Sequence, residues 1–185
     1  KEQQEIHRRY LSVKDWHDLI VEAEMVMDHG IQDVAIKYVE TSRYVFQEQQ
    51  FDNDIRAAII NIAFTNYIES LGNEVSGPVI LRFSSHTARM EEESQQVRIL
   101  QKTLLPCSEG QTATLGGCMM VTCYHIGPLE NIQDTYAKIA RWAQRHGYAL
   151  SEESYERYVA DYWTTKNSAQ FVTEVMLKAT RRGQD

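Results

Sequence analysis

The feature that most restricts the fold is an internal repeat, in which the same order of predicted elements occurs twice with a constant shift of 75 residues. Gly72 and Gly147, which end two predicted helices, are separated by this shift, and so are Tyr67 and Trp142. Apolar alternation predicts strands and a 3.6-residue apolar spacing predicts helices, so each half contains strand, helix, strand, strand. Identity between the halves is low, and the inference therefore depends on element order and apolar type.

Two such units predict an α+β fold, in which a duplicated strand-helix-strand-strand unit forms one antiparallel sheet with both helices on one face. The pseudo-repeats are expected over residues 33–105 and 112–181. One helix is predicted over residues 52–71 and its counterpart opens at Pro128, while residues 86–96 form a polar connection. The groove between the two helices is the natural place for a ligand.

Residues 1–30 precede the repeat and are predicted to be a helix that serves as linker and dimerisation helix, while residues 31–185 form the ligand-binding domain. Apolar residues recur there at heptad spacing, namely Ile6, Val13, Ile20 and Met27, with Trp16 and Ala23 at d-like positions. Ser12 and Asp15 resemble a capping box, which predicts a break near Tyr10. The helix either lies on its own domain or pairs with a second copy, and the heptad favours pairing.

Composition narrows the class of protein. The formal net charge is -7, which argues against direct contact of this chain with nucleic acid, because phosphate binding needs clustered Lys and Arg. Cys107, Cys118 and Cys123 have no CxxC spacing, so no disulfide framework, metal site or cofactor is expected, and reduced thiols fit the cytoplasm. No apolar run is long enough for a membrane span. Because the chain begins with Lys1 and has no visible signal peptide, we expect a segment upstream.

One residue breaks the repeat chemically. The shift places Glu156 on Leu81, and strand alternation puts Glu156 on the same face as Tyr158 and Tyr162. A carboxylate on an apolar face costs several kcal/mol unless it is paired or neutralised. Glu156 could be protonated, could pair with a structural Arg or Lys, or could await a cationic ligand with Tyr158, Tyr162 and Phe171 as aromatic walls. It could also lie at a strand end and reach water.

Three segments carry a resemblance to a known family. The run YHIGPLENIQDTYAKIARWAQRHGY, followed by SYERY and the closing strand FVTEVMLKA, resembles the GyrI-like effector-binding domain over residues 33–181. The resemblance implies the C-terminal part of a multidrug-sensing MerR-type regulator, in which a long dimer helix joins this domain to a DNA-binding head. Residues 1–29 resemble the end of such a helix, which AraC-type relatives lack.

The resemblance also implies site residues. Glu156 matches a glutamate that meets cationic aromatic ligands, while Tyr158 and Phe171 match residues of the same pocket. Asn61 and Ile132 fall at pocket-lining positions that are aromatic in the best-known sensors, which implies a ligand that differs in size or polarity from a planar dye. With the helix residues Phe64 and Tyr136 and a flexible wall at Met120, the predicted ligand-binding set is Glu156, Tyr158, Phe171, Asn61, Phe64, Ile132, Tyr136 and Met120.

The expected function is that of a ligand sensor rather than an enzyme. A small cationic or amphipathic molecule would bind between the two helices and thereby control promoter DNA distortion. The expected partners are this effector, a second copy through the N-terminal helix, and DNA and RNA polymerase only through an N-terminal domain outside this chain; no membrane partner is expected. The alternatives are a GyrI-like hydrolase with Glu156 as general base, or a stand-alone binding protein of the same fold.

Overall fold

A single antiparallel sheet organises the molecule, and a computed structural model describes it over residues 2–183. The helices are α1 (Glu2–Asp28), α2 (Ile55–Ile59), α3 (Ile62–Ser70), α4 (His86–Met90) and α5 (Ile132–His146). The strands are β1 (Ala35–Val39), β2 (Ser42–Phe51), β3 (Val75–Phe83), β4 (Gln95–Thr103), β5 (Thr112–Leu115), β6 (Cys118–Ile126), β7 (Tyr148–Leu150), β8 (Ser154–Ala160) and β9 (Val172–Arg181). The strand order is β1-β6-β9-β8-β3-β4-β2-β5, and β7 pairs with β9.

The strand order confirms the predicted duplication. The central pair is β3 with β8, and β4-β2 flanks it on one side as β9-β6 does on the other. In that pair Leu81 lies directly opposite Glu156, so two positions related by the 75-residue shift face each other at the centre of the sheet. Phe64 of α3 and Ile139 of α5 belong to one core cluster on the same face. The α+β architecture with both helices on one face is therefore confirmed.

The sheet is strongly curled, because β1 and β2 lie near opposite ends of the strand order yet only Glu40 and Thr41 connect them. The two edges consequently approach each other, and the N–H of Gly117 donates to the Val39 carbonyl at 2.7 Å. The inside of the curl holds a second core cluster, whose buried members are Ile80, Leu100, Leu115, Met120 and Met176. The curl thus gives the sheet a buried surface on the face opposite α3 and α5.

Helix α1 runs from Glu2 to Asp28 without interruption, so the predicted break near Tyr10 is wrong. Its C-terminal half lies on its own domain, where Leu19, Ala23 and Val26 pack against β8 and β9. This half of α1 lies on the face opposite α3 and α5, because Arg157 and Val159, which it contacts, alternate along β8 with Glu156 and Tyr158. Within the described residues, no helix is both long and apolar enough to cross a membrane.

The two heptad interpretations apply to different parts of the length of α1. The apolar stripe formed by Ile6, Val13 and Ile20 remains uncovered, with relative exposures of 62%, 68% and 54%. Two residues of the predicted seam, Ala23 and Met27, instead pack with Leu19 and Val26 against the sheet of the same chain. Docking on the own domain therefore leaves the stripe free for a second contact.

Two predicted boundaries differ from the structure. The helix expected over residues 52–71 is divided into α2 and α3, because the Asn61 side chain accepts a hydrogen bond from the Phe64 N–H at 2.9 Å and caps a new helix. The polar connection over residues 86–96 contains α4, which Ser85 caps through the N–H of Ala88 at 3.0 Å. In both cases a short polar side chain caps the start of a helix, and apolar periodicity indicates neither the division before α3 nor the presence of α4.

We expect Gly116→Ala to destabilise the closure of the curl. Gly116 has φ +100°, and a Cβ there would overlap the Glu40 carbonyl oxygen. The loss should be about 2–4 kcal/mol, since both backbone strain and a steric clash contribute, measured as the free energy of unfolding in urea. Gly110→Ala is the matched control, because a Cβ at Gly110 meets no atom within 4 Å. Equal stability of the two variants would contradict this account of the closure.

Candidate functional site

Glu156 lies at the centre of a buried polar cluster and is 0% exposed. Its Oε1 accepts hydrogen bonds from Arg89 Nε and from the Tyr136 hydroxyl, both at 2.9 Å. Its Oε2 accepts from the Tyr158 hydroxyl at 2.6 Å and from the second Arg89 nitrogen at 3.5 Å. Both carboxylate oxygens are therefore engaged, and the charge is balanced by an internal cation.

Three elements bring these side chains together. Strand β8 directs Glu156 and Tyr158 to the face covered by the helices, as the two-residue period of a strand requires. Helix α5 supplies Tyr136, whose hydroxyl also lies 2.9 Å from the Ser154 hydroxyl. The short helix α4 supplies Arg89, the buried residue of that helix. The cluster thus joins both halves of the repeat across the sheet centre.

Aromatic rings surround the Arg89 guanidinium. Its central carbon lies 5.1 Å from the ring centre of Phe83 and 5.6 Å from that of Phe51. The two rings meet edge to face with centroids 5.3 Å apart. A delocalised cation over aromatic faces gains about 0.5–2 kcal/mol per contact, with the larger values in buried sites. The carboxylate and the two rings together therefore hold the Arg89 cation in the core.

The charge states follow from burial and from Glu156. Burial raises the pKa of Tyr136 and of Tyr158 well above the usual range, and the neighbouring Glu156 carboxylate raises both further. Burial lowers the pKa of Arg89, but the attraction of Glu156, its hydrogen bonds to Arg89 and the two neighbouring tyrosines together outweigh burial and raise that pKa overall. The two tyrosines therefore stay neutral hydrogen-bond donors and Arg89 stays cationic at physiological pH.

The structure decides between the interpretations of Glu156 for this conformation. Pairing with a structural arginine is what the chain shows, and the strand-end position in contact with water is wrong because Glu156 is fully buried. Since the hydrogen bonds occupy both oxygens, Glu156 as positioned here is poorly suited to abstract a proton from a substrate. In the part of the chain that the structure describes, no group of three or more His, Cys, Asp or Glu side chains could hold a metal ion.

The predicted site residues fall into three places. Glu156, Tyr158 and Tyr136 form the cluster, and Ile132 and Phe171 are buried in the same core. Phe171 meets the ring of Tyr162 edge to face at 4.7 Å. Phe64 also belongs to this core and, with Asn61, lines a cavity beside it, whereas Met120 lies inside the curl on the opposite face of the sheet. The structure therefore places six of the eight in or around one core and separates Met120 from all the others.

Sequence reasoning missed Arg89, Phe51 and Phe83. Arg89 lies in a run of polar residues that was interpreted as a solvated connection, and its burial depends on the short helix α4. The signal that could have found it is the unpaired carboxylate itself, because a buried Glu156 requires a cation from some other element. The sequence offers several arginines, and only the fold selects one.

A cavity of about 320 Å³ lies beside α3. Strands β3 and β4, helices α1, α2 and α3 and the turn after β8 contribute its lining residues, which are Trp16, Ile59, Asn61, Phe64, Thr65, Val75, Val79, Ile99, Gln101 and Trp163. Trp163 is held by two hydrogen bonds, from its ring nitrogen to the Ile59 carbonyl at 3.1 Å and from its backbone N–H to Asp161 at 2.9 Å. The sheet residues of the cavity, Val79 and Ile99 among them, belong to the face covered by α3 and α5, which also carries the Glu156 cluster, whereas Trp16 reaches the cavity from α1.

The fold and the buried site define a domain built to enclose small molecules. The family model of the GyrI-like small molecule binding domain matches residues 32–179, and the chain belongs to this family. No curated protein sequence matches the chain.

Solved structures with a similar fold agree with this family assignment. The chain is similar to EcmrR in a complex with DNA, with a TM-score of 0.70 and 14% identity over 97% of this chain and 69% of that one. It is similar to the isolated EcmrR C-terminal domain, with a TM-score of 0.68 and 17% identity over 81% of this chain and 98% of that one. A Listeria innocua structure described as a hydrolase gives 0.54 and 12% over 81% and 93%. At these identities the similarity establishes the fold.

We expect the Arg89–Glu156 pair to show strong coupling in a double-mutant cycle. Arg89→Met leaves Glu156 buried without a counter-charge, and it should lower the free energy of unfolding by about 3–5 kcal/mol. Adding Glu156→Leu, the residue type at the repeat-related position 81, removes the orphaned charge and should recover most of that loss. Urea unfolding of the wild type, both single variants and the double variant measures the coupling. Additive effects would mean that the pair is not the interaction described here.

Proposed function

We propose that the chain is the ligand-sensing domain of a MerR-type transcription regulator, in which Glu156 accepts a cationic, drug-like molecule. The observation that carries this proposal is the Arg89 guanidinium, because the site already binds a delocalised cation between a carboxylate and two aromatic rings. An aromatic or amphipathic cation has the same charge and offers the same kind of faces. The family adds support, since its members bind small molecules in this domain.

In this proposal the ligand exchanges places with Arg89. Arg89 belongs to a helix of five residues, so its removal from the core requires only a local change in α4. The displaced guanidinium regains its hydration, while Glu156 retains a cationic partner. Ligand binding shifts the balance between the two arrangements only by its difference in affinity for them. A ligand would replace Arg89 if it fits between Glu156 and the rings of Phe51 and Phe83 as well as Arg89 does and also buries more apolar surface.

The residue next to Glu156 on β8 links the site to helix α1. Arg157 follows Glu156 on β8 and points to the other face, where it binds Glu22 of α1 and, at 2.8 Å, Glu174 of β9. A shift of β8 on ligand exchange would therefore move the anchor of α1. In our proposal α1 transmits this movement to a DNA-binding domain that precedes it, and DNA and RNA polymerase are contacted in the cytoplasm through that domain. The net charge of -7 fits a sensor that does not itself hold DNA.

We also propose that two copies associate through α1. The exposed stripe of Ile6, Val13 and Ile20 has the heptad spacing of a two-stranded coiled coil. Association would bury these side chains while Leu19, Ala23 and Val26 keep α1 on the sheet of its own domain.

We expect tetraphenylphosphonium to bind the wild-type chain saturably and to bind Arg89→Met at least tenfold more tightly, because the variant lacks the competing cation. Glu156→Gln should weaken binding at least tenfold, since it removes the counter-charge. Isothermal titration calorimetry measures the three affinities, and triphenylphosphine oxide serves as an uncharged comparison. Arg98→Met, which alters a surface arginine paired with Glu48, is the matched control and should bind as the wild type does. Unchanged affinity in Glu156→Gln would overturn the assigned role of Glu156.

We expect Val13→Glu to prevent self-association. The side chain is exposed in the single chain, so the substitution should leave the fold intact while it places a charge in the stripe. Sedimentation equilibrium should show a wild-type dimer and at least a tenfold weaker association for the variant. Tyr38→Glu, at an exposed apolar residue on β1, is the control. A wild-type chain that remains monomeric at every concentration would count against the proposed dimer.

A further inference from the structure

The cavity beside α3 has features of a second ligand site, separate from the Glu156 cluster. Its volume of about 320 Å³ falls at the lower end of the range for small-molecule sites in proteins. Val79 and Ile99 line it from the sheet, and the indoles of Trp16 and Trp163 line it from α1 and from the turn after β8. Neither Arg89 nor the carboxylate it pairs with is among the lining residues, so the cavity has a lining of its own.

The chemistry of the lining is uncharged. Among the described residues, no Asp, Glu, Lys or Arg side chain lines this cavity. Its polar groups already have partners in the protein: Asn61 bonds to Gln49 and to the Phe64 N–H, Thr65 to the Asn61 carbonyl, Gln101 to the Gly77 carbonyl and Trp163 to the Ile59 carbonyl. A charged molecule would lose its hydration there without compensation. An uncharged aromatic molecule would gain apolar burial and contact with two indole rings.

Trp16 connects this cavity directly to helix α1, whereas the Glu156 cluster is connected to that helix only through Arg157. It belongs to α1, occupies a d-like heptad position between Val13 and Ile20, and is 37% exposed. Its ring is thus shared between the cavity and the outer surface of the helix. A molecule that packs against this ring holds the middle of α1 against the domain.

We propose that this cavity binds an uncharged aromatic molecule of two or three rings, which packs between Trp16 and Trp163 and fastens α1 to the ligand-binding domain. The proposal concerns a different ligand class from the cation of the Glu156 cluster and does not depend on that glutamate. The chain would then respond to two chemically distinct kinds of molecule at two sites on one face of the sheet.

The test uses N-phenyl-1-naphthylamine, an uncharged dye whose fluorescence rises in apolar surroundings. The wild-type chain should bind it saturably with one site per chain. Val75→Trp places an indole in the cavity from the half-buried start of β3 and should weaken binding at least tenfold. Tyr38→Trp adds the same side chain at an exposed position on β1 and should leave the affinity within twofold of the wild type.

The exposed stripe of α1 is the competing place for the dye. If Val13→Glu abolishes dye binding while Val75→Trp retains it, the dye sits on the stripe and the proposal is overturned. The absence of saturable binding at one site per chain overturns it as well. Glu156→Gln keeps the two proposals apart, because it should lose tetraphenylphosphonium and keep the dye. Loss of both ligands would show one shared site and would contradict the second one.

A second measurement does not depend on the folding of Val75→Trp. The chain has three tryptophans, and Trp142→Phe removes the one at the end of α5, which leaves the two cavity indoles as the source of tryptophan emission. The dye absorbs at that emission, so bound dye should quench it by more than half with the same half-saturation as the dye signal. Amide hydrogen exchange in residues 8–16 should slow in the dye complex. Unquenched emission at saturation would overturn the proposal.

Discussion

The ion pair between Arg89 and Glu156 is the interaction on which the rest of the site depends. Glu156 is buried at the centre of the sheet, where it would be costly without a cation. Arg89 supplies that cation from α4, and Tyr136 and Tyr158 complete the hydrogen bonds from α5 and β8. One carboxylate thereby fixes the positions of a short helix, a long helix and a strand. In this structure the Arg89 guanidinium fills the space between that carboxylate and the rings of Phe51 and Phe83.

The buried polar cluster lies where the two halves of the repeat differ in sequence. Leu81 and Glu156 face each other across the central strand pair and occupy equivalent positions in the two halves. The leucine packs in the core of its half, while the glutamate places in the other half a buried charge that needs a counter-charge. A symmetric pair of leucines would make a better core and no site. The polar cluster nevertheless uses both halves, because Arg89 comes from the first half whereas Glu156, Tyr136 and Tyr158 come from the second.

The sequence was sufficient for the fold and for part of the site. Element order and glycine spacing predicted the duplicated sheet, and strand parity correctly placed Glu156 and Tyr158 on the helix-covered face. Arg89 was beyond reach, because its burial depends on a five-residue helix with no apolar period. The division of the helix at Asn61 depends on one side-chain cap, and the place of Met120 depends on which strand face the curl encloses. Local sequence patterns indicate which face of a strand or helix a side chain occupies. Which polar groups come together depends instead on contacts between elements that are distant in the sequence.

The exchange of edge strands between the two halves has a consequence for how such a chain arises and folds. Strand β1 belongs to the first half but pairs with β6 of the second, and β5 belongs to the second half but pairs with β2 of the first. Neither half is complete alone, so the two should gain and lose structure in one cooperative transition. A single ancestral unit could build the same sheet only as a two-fold dimer with swapped strands. Fusion of two genes would then have joined an obligate pair, and freed one copy to acquire its glutamate.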